Sequence, residues 1–448
     1  MGIFKACDIR GKYPLDLDER QALAIGRAIG TVAMKSFPGA RVVLGGDARL
    51  STPTLKSAMR DGLVESGCRV LDLGIIATPV AYFAQRYCKA DAVVMVTASH
   101  NPADENGVKF AVGRMPVEPE DVAEIERIAR SGSFAKGAGH AATIDAIGPY
   151  CDRLVRRFGS LPRMKVVVDA GNGCMSEIAP LVLRRCGCEV VELNCVTDGR
   201  FPGRSPNPTK TENLAEAVKI VREEGADFLA AYDGDGDRVV FADEAGEFVA
   251  PEIAGLFFAL GVLRFGSGKI VYDQKSSQVL ADEIRKAGGE PVMERSGHAF
   301  IKRRMLVDGA LIAAEISGHY FFRETGGDDG LYATLRMIEA LGRTGNKLSQ
   351  FVKTVPLFHV TPDIRIPIAG DPKIVVEAVA KAYADRPIAR MDGVRAQLED
   401  GWVLVRPSVT EAAVTCRIEA GSPERLAQLL EEVLRVLTRA GGGRSAGS

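Results

Sequence analysis

Neither sign of charge prevails in this chain: 57 lysines and arginines stand against 58 aspartates and glutamates in 448 residues, a formal net charge of -1. A nucleic-acid-binding protein normally shows a basic excess and a high pI, so that class loses its electrostatic footprint. Cysteine is scattered. Nine are present, no Cys-x-x-Cys pair occurs, and the closest spacing, Cys186-Gly-Cys188, lacks a histidine or cysteine partner at zinc-site distance. The pattern fits reduced thiols of a cytoplasmic protein. No apolar run approaches the length of a membrane span, and the segment Met1 to Arg10 lacks the apolar core of a signal peptide. The expectation is a cytoplasmic protein with no membrane and no nucleic-acid partner, as a monomer or a dimer.

What is present is the composition of a globular enzyme, 46% hydrophobic and 26% charged, in a chain too long for one hydrophobic core. One pattern recurs three times. Arg41 to Ser51, Lys165 to Ser176 and Lys269 to Ser277 each place an aspartate (Asp47, Asp169, Asp273) after a β-branched strand. A helical segment follows each, and a second strand begins about 20 residues later, the spacing of a βαβ unit. Three α/β domains of one kind are predicted, with strands whose carboxyl ends face a shared crevice. The last part differs: alternating strands through Trp402 to Val405 and Val414 to Ile418, then a helix opened by Ser422 and Pro423. Its Leu426, Leu429, Leu430, Val433, Leu434 and Leu437 form one apolar stripe.

The densest chemistry lies in Asp233-Gly-Asp235-Gly-Asp237-Arg238, between two apolar runs, Phe228 to Tyr232 and Val239 to Ala242, short enough for buried strands. Carboxylates this close repel by roughly 4 kcal/mol per pair at about 4 Å and an effective dielectric near 20, so the loop calls for a cation. The spacing imitates a calcium-binding EF-hand loop, even to Glu244 at the final ligand position. Arg238 stands where that loop requires glycine, and strands replace its flanking helices. Hard oxygen donors in an open shell favour Mg2+ shared with a phosphate, and Arg238 supplies a second cationic clamp.

Thr97-Ala98-Ser99-His100-Asn101-Pro102 follows the buried-looking strand Asp91 to Val96. Ser99 lacks the glycines of the hydrolase elbow, and the sequence places no acid-histidine pair to activate it, which argues against acyl transfer. As a phosphoserine it needs no strong base, because it donates its phosphoryl group while a metal neutralises the charge.

The serine and aspartate motifs together resemble the α-D-phosphohexomutase family, the phosphoglucomutases and phosphomannomutases, and the resemblance runs along nearly the whole chain. It implies an α/β fold of three similar domains with mixed sheets and a smaller α+β C-terminal domain around a central cleft. The expected boundaries are 1–147 (phosphoserine), 148–246 (metal), 247–355 (sugar) and 356–440 (phosphate), with a disordered tail at 441–448. It implies that Ser99 carries the exchangeable phosphate and that Asp233, Asp235 and Asp237 bind Mg2+ together with it. Phe4 to Gly11 resembles the family's N-terminal segment, which puts Arg10 beside the transferring phosphate, with Cys7 in place of the usual tyrosine. Asn106-Gly-Val-Lys109 matches a segment in which the lysine polarises the phosphoryl group or moves a proton. Lys275 and Ser296-Gly-His298 match positions that contact the sugar phosphate, with His298 a proton carrier of suitable ordinary pKa. Glu315, Ser317 and His319 match the sugar-reading loop, with Ala314 for glycine. Arg406, Ser408, Val409 and Thr410 match the loop for the non-reacting phosphate, with Val409 for asparagine and Ala412 for proline. The implied activity is reversible 1,6-phosphoryl transfer on mannose and glucose phosphates through a phosphoserine and a hexose 1,6-bisphosphate, which also acts as activator. Three other readings stay open: a phosphoglucosamine mutase, a non-catalytic sugar-phosphate sensor, and a serine-dependent phosphatase.

Overall fold

The computed structural model describes residues 2–368, 370–408 and 413–440, so Val409, Thr410 and the tail 441–448 lie outside the described residues. The first sheet runs in the order Ile9–Lys12, Glu105–Val112, Ala92–Val96, Arg41–Gly46, Arg69–Ile75, His140–Thr143. Its last four strands are parallel, and Glu105–Val112 turns back antiparallel on Ala92–Val96. The second sheet repeats the arrangement around Lys165–Asp169, with Glu189–Leu193 and Phe228–Tyr232 parallel beside it and Val239–Ala242 antiparallel beyond. The third does so around Lys269–Asp273, with Glu290–Glu294, Ile312–Ala314 and antiparallel Tyr320–Phe322. These are mixed sheets of one design.

The period of two along each strand decides how the three pack. In the second sheet Val166, Val168, Phe228, Ala230 and Tyr232 enter one continuous core, while Val167, Leu229 and Ala231 face that domain's own helix Ala215–Glu224. In the third, Ile270, Tyr272, Ile312, Tyr320 and Phe322 enter the same core, while Val271, Ala313 and Phe321 pack on helix His298–Asp308. Val43, Val93 and Met95 of the first sheet join it too. The fourth part is an antiparallel sheet with a core of its own, on which Leu429, Val433 and Leu437 of helix Pro423–Ala440 are buried. Leu434, expected in that stripe, is 37% exposed because it lies at the margin of the face.

In each of the first three sheets, the turn between the third parallel strand and the returning antiparallel strand bears the expected site residues. Ser99 lies between Ala92–Val96 and Glu105–Val112, the aspartates between Phe228–Tyr232 and Val239–Ala242, and Glu315 to His319 between Ile312–Ala314 and Tyr320–Phe322. The same corner of one repeated unit is used three times.

Candidate active site

Ser99 is fully buried and holds a left-handed backbone, φ +54°. That conformation is uncommon for a residue with a Cβ and persists where surroundings enforce it. Arg49 enforces it. The guanidinium is fully buried, its Nε donates to Asp47 Oδ2 at 3.0 Å, and its terminal nitrogens donate to the carbonyls of Ser99 (2.8 Å), Asn101 (2.6 Å), Glu105 (2.9 Å) and Pro102. Thr97 Oγ1 accepts from Ser99 N at 2.8 Å and donates to Asp47. Arg10 braces the outer side, donating to Ala98 O and to Asn101 Oδ1, with Asp8 on its Nε.

So held, Ser99 Oγ donates to Asp233 Oδ2 at 2.7 Å across the boundary between the first two domains. The approach leaves no room for a side chain: a Cβ on Gly234 would lie 2.6 Å from Ser99 O. Asp233 Oδ1 accepts from the backbone N–H groups of Gly236 and Arg238. Asp235 Oδ2 accepts from Thr78 Oγ1 at 2.6 Å and Lys109 Nζ at 2.8 Å, and Asp237 Oδ2 accepts from the same ammonium at 2.5 Å. The remaining oxygens, Asp235 Oδ1 and Asp237 Oδ1, are buried without a hydrogen bond. Each of the three carboxylates offers an oxygen within 4.8 Å of the others.

Burial and the two neighbouring carboxylates raise the Asp233 pKa to about 7. Burial pushes Asp235 and Asp237 the same way, but Lys109 prevails and holds both below the usual carboxylate range. The cluster thus draws a cation into itself, and an all-oxygen donor set with two unused buried oxygens fits Mg2+. His100 Nδ1 lies 3.4 Å from Ser99 Oγ. Burial, with Arg238 and Arg10 nearby, drives its pKa far down, so it stays neutral and is a poor proton acceptor.

Comparison with known proteins shows the family. The chain matches the four families of phosphoglucomutase/phosphomannomutase domains: alpha/beta/alpha domain I over residues 1–136, domain II over 146–246, domain III over 255–358 and the C-terminal domain over 364–436. It is 37% identical over 433 residues to a phosphomannomutase/phosphoglucomutase of Pseudomonas aeruginosa, covering 95% of this chain and 93% of that one. The chain belongs to the phosphoglucomutase/phosphomannomutase family. A phosphoglucomutase of Neisseria gonorrhoeae is 37% identical over 428 residues, 93% of each chain. The structure of a phosphoglucomutase/phosphomannomutase family protein from Burkholderia thailandensis superimposes with a TM-score of 0.92 at 34% identity, covering 99% of this chain and 98% of that one.

In this phosphohexomutase the third domain reaches the same centre. Arg238 Nε donates to His319 Nε2 at 2.8 Å and lies 3.7 Å from Asp233 Oδ2. Arginine cannot accept, so Nε2 is the acceptor and the imidazole proton sits on Nδ1, which faces Asp328 Oδ2 at 2.8 Å. Burial opposes a charge on His319, but Asp237 and Asp328 still raise its pKa. His298 stacks on His319, with ring centroids 5.5 Å apart. Burial and the charge of Lys109 lower the His298 pKa to about 3, and its Nε2 is buried without a partner. Burial raises the Glu315 pKa despite His319 and Arg238. Ser317 stands on the same turn. Cys7 sits near Arg295 and Glu315, its thiol pushed up to about 12 by burial and Asp8, and so is no nucleophile.

Two expected residues are engaged elsewhere. Lys275 Nζ donates to Asp363 of the fourth domain at 2.5 Å, and Arg406 is paired with Asp392, its Nε 2.7 Å from the carboxylate. Ser408 N donates to Ala413 O on the fourth sheet. Sequence reasoning missed Arg49, Thr78, Thr97, His100 and Asp328. Thr97 and His100 stand inside the serine motif itself, and Arg49 lies two residues after the first repeated aspartate, a role the second repeat fills with Arg204, whose Nε donates to Asp169 at 2.7 Å.

Proposed function

We propose that the protein interconverts the 1- and 6-phosphates of glucose and mannose with Ser99 as phosphoryl carrier. The observation that carries this reading is the 2.7 Å approach of Ser99 Oγ to Asp233 Oδ2 across two domains. A hydroxyl bound to a carboxylate of a cation-seeking cluster is placed to hold a phosphate beside a metal. Asp233, Asp235 and Asp237 would hold Mg2+, which supplies charge neutralisation for a phosphoryl group when bound.

In the proposed step the bond from Ser99 Oγ to phosphorus breaks as the free hydroxyl of a hexose monophosphate forms its own, giving a hexose 1,6-bisphosphate. In this reading the hydroxyl proton passes to His298, and Ser99 Oγ, which departs as an alkoxide, takes a proton from Lys109. Arg10, Lys109 and Arg238 bind the transferring phosphoryl oxygens. Glu315, Ser317 and His319 read the sugar hydroxyls. Arg406, Ser408, Val409, Thr410 and Lys275 hold the other phosphate. The bisphosphate then turns over and returns its second phosphate to Ser99. The loop Ala314-Glu-Ile-Ser-Gly-His-Tyr320 resembles the glucose and mannose type, and the names of the relatives above support that preference.

The test offers purified protein, Mg2+ and a trace of glucose 1,6-bisphosphate with the 1-phosphates of mannose, glucose and glucosamine in separate assays. Conversion of the first two to 6-phosphates is expected. Failure with all three, or accumulation of free phosphate instead, would overturn the reading.

A further inference from the structure

Beyond Lys109, on the seam between the first and third domains, lies a cavity of about 170 Å3. Helix Thr78–Tyr87 and strand Glu105–Val112 of the first domain form one wall and helix His298–Asp308 of the third forms the other. Its lining contains no carboxylate; Lys109 is paired with Asp235 and Asp237 behind it and His298 is neutral, which leaves Arg86, Arg114 and Lys302 as its cations. Such a wall is costly unless something negative fills it.

The cations converge from both domains. A Cβ on Gly326 would lie 2.2 Å from Arg86 Nη1, and one on Gly327 would lie 3.0 Å from Lys302 Nζ, so the bare 326–327 turn lets both charges close in. Lys302 is 8% exposed and makes no hydrogen bond; its ammonium rests 3.4 Å above the Tyr82 ring and 4.0 Å from Asp328 Oδ1. Among the described residues Arg86 and Arg114 have neither an ion pair nor a side-chain hydrogen bond. Two neighbouring acids are already engaged, Asp328 with His319 and Asp329 with the Tyr150 hydroxyl at 2.9 Å. Burial, with Arg153 and Arg114 nearby, lowers the pKa of Arg86 to about 10, and burial, with Arg86 and Lys109 nearby, lowers that of Lys302 to about 8.

We infer that this cavity is an anion site, built by Arg86, Arg114 and Lys302 for a tetrahedral oxyanion of the phosphate class. It adjoins the Ser99 centre, with which it shares Lys109 and His298, but its own cations Arg86, Arg114 and Lys302 belong neither to that centre nor to the Arg406 loop. An occupant would bridge the two domains beside Lys109 and offset the repulsion among the three cations. The source could be free phosphate or the phosphoryl group of a sugar phosphate.

Equilibrium dialysis of labelled inorganic phosphate against the full-length protein decides it, with Arg86→Gln, Lys302→Gln and, at an exposed position that leaves the core intact, Arg114→Gln. One class of bound phosphate should weaken by about tenfold or more in the Arg86 and Lys302 variants and by less in the Arg114 variant. If that class persists in saturating glucose 1,6-bisphosphate, the ligand is free phosphate; if it is displaced, the ligand is the sugar phosphate's own group. Unchanged phosphate binding in every variant that folds would overturn the site.

Discussion

Arg49 shows what a single side chain does for this centre. Its five N–H donors are spent on Asp47 and on four loop carbonyls, and a lysine in its place keeps the charge but cannot span them. Arg49→Lys should lower kcat by about 100-fold, the scale of a displacement near 1 Å at a reacting atom. KM for hexose phosphate should stay within about twofold, because the sugar contacts lie on another domain; a rise in KM with unchanged kcat would contradict this. Asp233 poses the opposite case. Its folded pKa of about 7 is above the ordinary 3.8, so its contribution to stability is full below about pH 3.8 and is lost as pH rises through 7. At pH 8 the metal-free Asp233→Asn variant should therefore be more stable than the parent, by on the order of 1 kcal/mol for each pH unit that the parent's pKa is raised. The stabilisation that Mg2+ gives the parent should be lost. Thermal melts with and without Mg2+ read both, and a less stable metal-free variant would count against the electrostatic account.

The hairpin turn after the third parallel strand is the element from which the site is made. Sequence comparison found the repeat through its first strands, where Asp47, Asp169 and Asp273 align, and read the aspartate and serine motifs correctly as turns at strand ends. It could not see that Ser99, Asp235 and Ser317 occupy one topological corner, because the three turns share no residue pattern and only the sheet order makes them equivalent. Contacts between turns were equally hidden: nothing local in Arg238 or His319 specifies the 2.8 Å bond between them. Helix His298–Asp308 adds a testable feature of its own. Lys302 has a pKa of about 8 in the fold against an ordinary 10.5, so its charge destabilises the folded protein fully below pH 8, and the penalty is relieved as pH rises to 10.5. The relief is on the order of 3 kcal/mol. Urea unfolding from pH 7.5 to 10 should show the parent gaining stability relative to Lys302→Met; parallel pH profiles would refute the buried charge.

At the scale of the whole molecule, one core joins the first three domains beside clusters proper to each, and the buried core of the fourth is separate from it, so movement is expected at the junction with the fourth. That junction is polar. Lys275 meets Asp363, Arg417 lies 3.9 Å from Glu252, and Gln278 N donates to Glu419. Lys275 is held by Asp363, so a substrate phosphate that competes for its ammonium should loosen that pair and shift the fourth domain. Small-angle scattering with and without glucose 1-phosphate should differ, and Asp363→Asn should reduce the difference; identical profiles would argue for a fixed cleft. The central claim remains that Ser99 and the aspartate turn form one phosphoryl-transfer centre. Intact-mass analysis after incubation with glucose 1,6-bisphosphate and Mg2+ tests it most directly. One phosphoryl adduct is predicted, mapping to the peptide containing Ser99 and missing from Ser99→Ala. An unmodified parent, or an adduct that survives in the variant, would contradict it.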